Sequence, residues 1–228
     1  MAATTTISED KHARLAGISG IVFSVLSLIV IPMAPELGPP LGSSADEIAG
    51  WYQRHHTGFL IGNWLGIAAF LPGFILLSVV AKWIRKRDEE DGILSSLFLT
   101  TGTFGFTFGA VLLYIFQVLP FLTEGEGRLG IHAMGNLANV GFALFLLAAM
   151  PFIAVTGWAS LKTNVFPKWF ARASLVLAVL ATLASAGSLT TEPRWFAAGG
   201  TVSGLGFMTF FGWTFAMSIL ALRRRAPA

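Results

Sequence analysis

Residues 58–81 read GFLIGNWLGIAAFLPGFILLSVVA, a run without a single Asp, Glu, Lys, Arg or His. A helix rises ~1.5 Å per residue, so about 20 apolar residues cover the ~30 Å of hydrocarbon in a bilayer. The run is long enough to cross. Within it Asn63 requires a hydrogen-bond partner, and Pro72 removes one helix hydrogen bond.

Five further stretches repeat the pattern on either side: residues 15–34, 93–121, 133–156, 173–189 and 196–221. All 12 acids and all 15 Lys and Arg lie outside the six. The whole chain agrees, because 54% of its 228 residues are hydrophobic and 12% are charged, against about a quarter charged in soluble domains. Disorder, collagen and a soluble α/β enzyme are poor readings of such a composition. The chain has no cysteine, which excludes disulfide scaffolds, Cys-based zinc sites, iron–sulfur clusters and Cys nucleophiles. The expected fold is all-α: one domain, residues 1–228, forming a polytopic membrane bundle of six transmembrane helices.

Charge sets the expected orientation. Twelve of the 15 basic residues flank the spans on one side, including Lys11, Arg14, Lys82, Arg85, Lys86, Arg87, Lys162, Lys168, Arg172 and Arg223. Arg54, Arg128 and Arg194 fall on the other. The positive-inside rule then puts both termini in the cytoplasm. Glu9 and Asp10 in the leader, and an apolar run longer than a signal peptide's, favour a retained first span. Trp51, Tyr52 and Trp195 fall at expected outer boundaries, and Trp83, Trp158 and Trp169 at inner ones, where amphipathic rings anchor. No segment supplies the basic patch of a folded domain that a nucleic-acid partner needs. The run from Lys82 to Asp91 reads as a solvated loop near headgroups.

Helices in lipid associate through close backbone approach and interhelical hydrogen bonds. Small residues four apart supply the approach: Gly62 and Gly66, Gly105 and Gly109, Gly200 and Gly204, and Ser174, Ala178, Thr182 and Ala186. Pro72 and Pro151 are expected to kink their helices, as shape adjustments or as hinges.

The third span carries two contrasting faces. Ser96, Thr100, Thr103, Thr107, Ala110, Tyr114 and Gln117 share one, whereas Gly102, Gly105 and Gly109 lie more than about 100° away. The hydroxyl face either returns its protons to its own backbone against other helices or forms an uncharged polar track along a cavity. Toward the outer ends, Asn63, Tyr114, Gln117, His132, Asn136 and Asn139 gather at one depth. These residues, with Thr103 and Thr107, are the candidate ligand-binding set. An interhelical hydrogen-bond cluster is the alternative, since unpartnered amides are costly in hydrocarbon. His55, His56 and His132 are candidates for a metal, although adjacent His55 and His56 cannot share one helix face. Nearby carboxylates are Glu36, Glu124 and Glu126, in Gly/Pro-rich loops.

No charged residue lies within a span, as proton relays and ion-coupled carriers usually require. There is no P-loop, H-E-x-x-H or G-x-S-x-G motif. No catalytic residue and no cofactor is implied.

The stretch Phe166-Pro167-Lys168-Trp169-Phe170 leads into an Ala/Leu-rich fifth span, and Trp213 and Ser218 precede Leu220 and the terminal Arg223–Arg225. Over this last quarter the chain resembles a broad group of uncharacterised six-span bacterial membrane proteins classed as a domain of unknown function. The resemblance implies a bacterial inner-membrane location and no activity. The expected role is a non-enzymatic membrane component that contacts membrane lipid or another membrane protein. The alternatives are a transporter or channel moving an uncharged or amphiphilic solute along the third-span polar face, and an outer-face metal-dependent membrane enzyme.

Overall fold

A computed structural model describes residues 2–33, 39, 41–89, 91–123, 127–192, 195–198 and 200–224. The described residues form six α-helices: α1 Ala2–Met33, α2 Ala45–Arg85, α3 Ile93–Val118, α4 Gly127–Thr163, α5 Lys168–Ser185 and α6 Thr201–Leu222. All six are long and apolar enough to cross a membrane. The protein is a polytopic, all-α membrane protein.

Local chemistry explains several helix ends. Ser44 and Glu47 form a reciprocal capping box at the start of α2, the Glu47 N–H donating to Ser44 Oγ at 3.2 Å and the Ser44 N–H to Glu47 Oε2 at 2.8 Å. Gly92, at φ 86°, takes the left-handed turn that separates α2 from α3, a conformation glycine reaches without steric cost. Asp88 Oδ2 then accepts the Leu94 N–H at 2.9 Å, which satisfies one of the free donors of a helix start. Pro120 ends α3 in a short 3₁₀ turn, Leu119–Leu122. Helices α2 and α4 continue through Pro72 and Pro151.

Helices α1, α2 and α4 outrun the apolar stretches that announce them. The expected second span begins at residue 58, but α2 begins at Ala45. The added turns bury Ile48, Ala49, Trp51 and Tyr52 against Phe59, Leu119, Ile131 and Ala138. This is a small second core built on the ends of α2, α3 and α4. The sixth span runs the other way, since α6 starts at Thr201 and residues 195–198 belong to turns.

The helices pack in the order α6, α1, α2, α3, α4, α5, while α5 and α6 touch only lightly. Phenylalanine rings fill the centre. Phe23 of α1 stacks on Phe106 of α3 at 4.8 Å, Phe106 meets Phe152 of α4 at 5.9 Å, and Phe152 meets Trp213 of α6 at 5.4 Å. Glycines let these rings and backbones approach. A Cβ at Gly102 would lie 2.8 Å from Leu77, one at Gly109 2.9 Å from Phe145, and one at Gly105 3.4 Å from the Ala148 carbonyl. The glycine face of α3 therefore points into the bundle. Gly62, Gly66, Gly200 and Gly204 are buried as well, as are Ser174 and Ala178 of α5, whereas Thr182 is exposed.

Basic residues collect at one end of the molecule. Arg87 donates to the Asn164 carbonyl at 2.9 Å and the Thr163 carbonyl at 3.4 Å, at the close of α4. Arg224 lies over the Trp83 ring, 4.5 Å from its centroid, and Lys82 approaches His12 at 3.4 Å. Cations at helix C-termini sit against the negative end of the helix dipole.

Candidate functional site

Helix α3 presents its hydroxyl face to the outside. Ser96, Thr100, Thr103, Thr107 and Tyr114 are all exposed, and Gln117 is half-buried. Thr103, Thr107 and Tyr114 therefore face away from the interior of the bundle. The reason is packing. The three glycines give the tightest contact α3 can make, so that face goes inward and the opposite face is left to the surroundings. Elsewhere hydroxyls fold back onto their own helices: Thr101 to the Leu97 carbonyl at 2.7 Å, Thr156 to Phe152 at 2.7 Å, Thr214 to Phe210 at 2.9 Å. Among the described residues, no hydrogen bond engages the hydroxyls of the outward stripe.

The outer amides separate into two sets. Asn63, 2% exposed, donates to Gln117 Oε1 at 2.8 Å and to the Leu113 carbonyl at 2.5 Å, joining α2 to α3. Asn136 and Asn139 instead hold the α1–α2 connection against α4: Asn139 donates to the Pro39 carbonyl at 2.8 Å, and the Gly42 N–H donates to Asn136 Oδ1 at 3.3 Å. His132 Nε2 lies 3.2 Å from Asn136 Nδ2. Among the described residues, one cavity beside these groups, lined by Asn139, Trp51, Tyr52 and neighbours, has a volume of about 30 Å³, far below the ~300–1,000 Å³ of ligand pockets. The amides tie helices together here.

The histidines diverge. His55 Nδ1 pairs with the Trp51 carbonyl at 2.9 Å, and the His56 ring packs edge-on to Phe121 at 5.8 Å. Among the described residues no group of three His, Cys, Asp or Glu is placed to hold a metal ion. Glu36, Glu124 and Glu126 lie outside the described residues.

Two features escape a reading by hydropathy. One is the α2 extension, whose signal was the Ser44-x-x-Glu47 capping box followed by Ile48. The other is a cavity of about 340 Å³ between α5 and α6, floored by α4 and lined almost wholly by apolar side chains. No local pattern announces it, because it exists only through the spacing of two helices. Trp213 lines one end of it. Phe170 stacks on Trp213 at 5.8 Å, Phe166 packs on Phe170 at 5.4 Å, and Trp213 Nε1 donates to Ser174 Oγ at 2.8 Å.

No family model matches the chain, and no curated protein or solved structure does.

Proposed function

We propose that the protein is a non-enzymatic component of a bacterial inner-membrane assembly, holding a helix of another membrane protein against the outward face of α3. The observation that carries this reading is the exposed seam of that helix. Exposed residues recur at Ile93, Leu97, Thr100, Phe104, Thr107, Val111, Tyr114 and Val118, spaced alternately four and three apart. That seven-residue period is the one at which two helices pack knob into hole. From Leu97 onward large apolar side chains alternate along it with hydroxyls, and a hydroxyl both donates and accepts a hydrogen bond. Lipid tails offer those hydroxyls no partner, whereas a neighbouring helix does. The resemblance on Phe166–Phe170 and Trp213 supports the bacterial location, and the uneven distribution of Lys and Arg supports cytoplasmic termini.

A photo-reactive phenylalanine analogue in place of Thr107 or Val111 tests the reading in native membranes. The expected result is a discrete protein adduct from both positions and none from Val179, which is also exposed, on α5. Absence of any protein adduct from the α3 positions, with the protein recovered as a lone monomer in mild detergent, would overturn it.

A further inference from the structure

We propose that the cleft between α5 and α6 holds one acyl chain of a membrane lipid, drawn from the leaflet on the side of the α5–α6 connection. The inference is independent of the α3 reading and rests on what such a cleft accepts. It lies within two membrane-spanning helices, so its surroundings are hydrocarbon. Leu146 and Ile153 of α4 form its floor, and Leu180 and Leu205 stand on its two rims.

The polar groups that line it are already spent. Thr209 donates its hydroxyl to the Leu205 carbonyl at 2.7 Å, and the Trp213 indole N–H is held by Ser174. A water molecule would need two to four polar partners there. Protein does not fill the space either, because α5 and α6 barely meet. Hydrocarbon is the matter that suits it at that depth.

Length selects the occupant. From Val202 at the connection end to Trp213 at the closed end, eleven residues of helix span about 17 Å. Half of a ~30 Å hydrocarbon core is about 15 Å. The cleft is therefore one leaflet deep, open sideways to lipid and stopped near the midplane by the Trp213–Ser174 pair. Gly206 lets α6 pack directly on the floor, where a Cβ would lie 2.6 Å from Leu146.

The test uses the full chain in phosphatidylcholine vesicles doped with phosphatidylcholine that carries a diazirine on one acyl chain. After irradiation, labelled positions are read by peptide mass spectrometry. Leu177 lines the cleft toward its Trp213 end and is half-buried, whereas Leu146 and Ile153 of the floor are only 2% and 3% exposed and stay out of reach. Label on Leu177 is expected when the diazirine is near the chain end, and it should move to Val202 and Leu205 when the diazirine is near the carbonyl. The double substitution Ala181→Phe and Thr209→Phe plugs the cleft and should abolish labelling of Leu177 while leaving label on Val111 of α3 unchanged. Absence of label from Leu177 in the native chain would overturn the proposal. So would Leu177 labelling that ignores the diazirine position, a result that does not depend on the plugged variant folding.

Discussion

At the scale of single residues, the polar groups inside the bundle act as fasteners. Asn63 shows the logic most clearly. An unpartnered amide costs roughly 4–8 kcal/mol in a medium that cannot hydrogen-bond, yet Asn63 is buried with both Leu113 and Gln117 as acceptors. The net value of such a bond is small, because a membrane-inserted but unpacked helix also finds partners. Interhelical polar pairs average about 0.6 kcal/mol and reach about 1.7. A cycle of Asn63→Leu, Gln117→Leu and the double variant, followed by detergent-driven unfolding, should give a coupling of about that size. Strict additivity would show that the 2.8 Å contact contributes nothing to stability. That Asn63 and Gln117 would need partners was readable from the sequence. That they would choose each other, and leave Asn136 and Asn139 to the α1–α2 connection, depends on which helices are neighbours.

At the scale of elements, α2 and α3 teach opposite lessons. Hydropathy located the lipid-crossing part of α2 but not its first turns, because those are held by a cap and an amphipathic contact and not by lipid. The capping box should therefore matter locally. Ser44→Ala is expected to cost about 1 kcal/mol, within the usual 0.5–2 range for losing an N-cap. It should speed amide exchange at Glu47 and Ile48 while the lipid-buried turns of α2 stay protected. Exchange unchanged at these amides would mean the cap is supported wholly by packing of Ile48 and Trp51. For α3, the two faces follow from the sequence, but which one turns inward does not. In water, polarity would decide. In lipid, both faces are tolerable outside, and the choice falls to the face that packs most closely, here Gly102, Gly105 and Gly109.

At the scale of the whole molecule, six spans and an all-α fold are readable because the bilayer admits so few solutions. Backbone groups must be satisfied within each segment, so every apolar run of sufficient length becomes a helix. The α5–α6 cleft is not readable this way, since it arises from two helices that stay apart. Sidedness is a third kind of property, carried by charge alone. The fold gathers Lys82, Arg87 and Arg224 at one end, and the proposal that this end faces the cytoplasm follows from the positive-inside rule. Helix α2 permits a direct test. Its 41 residues extend about 62 Å, more than the ~40–45 Å of a bilayer with its headgroups. Both ends of one rigid element therefore reach water. The chain lacks cysteine, so single cysteines can be placed without background. With Arg54→Cys, an impermeant maleimide added to intact cells should label the protein. With Lys86→Cys, labelling should wait until the membrane is opened. Both positions are exposed, so accessibility on the protein itself does not bias the result. The reverse pattern would invert the molecule and place its basic end outside. Equal labelling at both would mean that the chain inserts in two orientations, with the excess of Lys and Arg at one end too weak to choose between them.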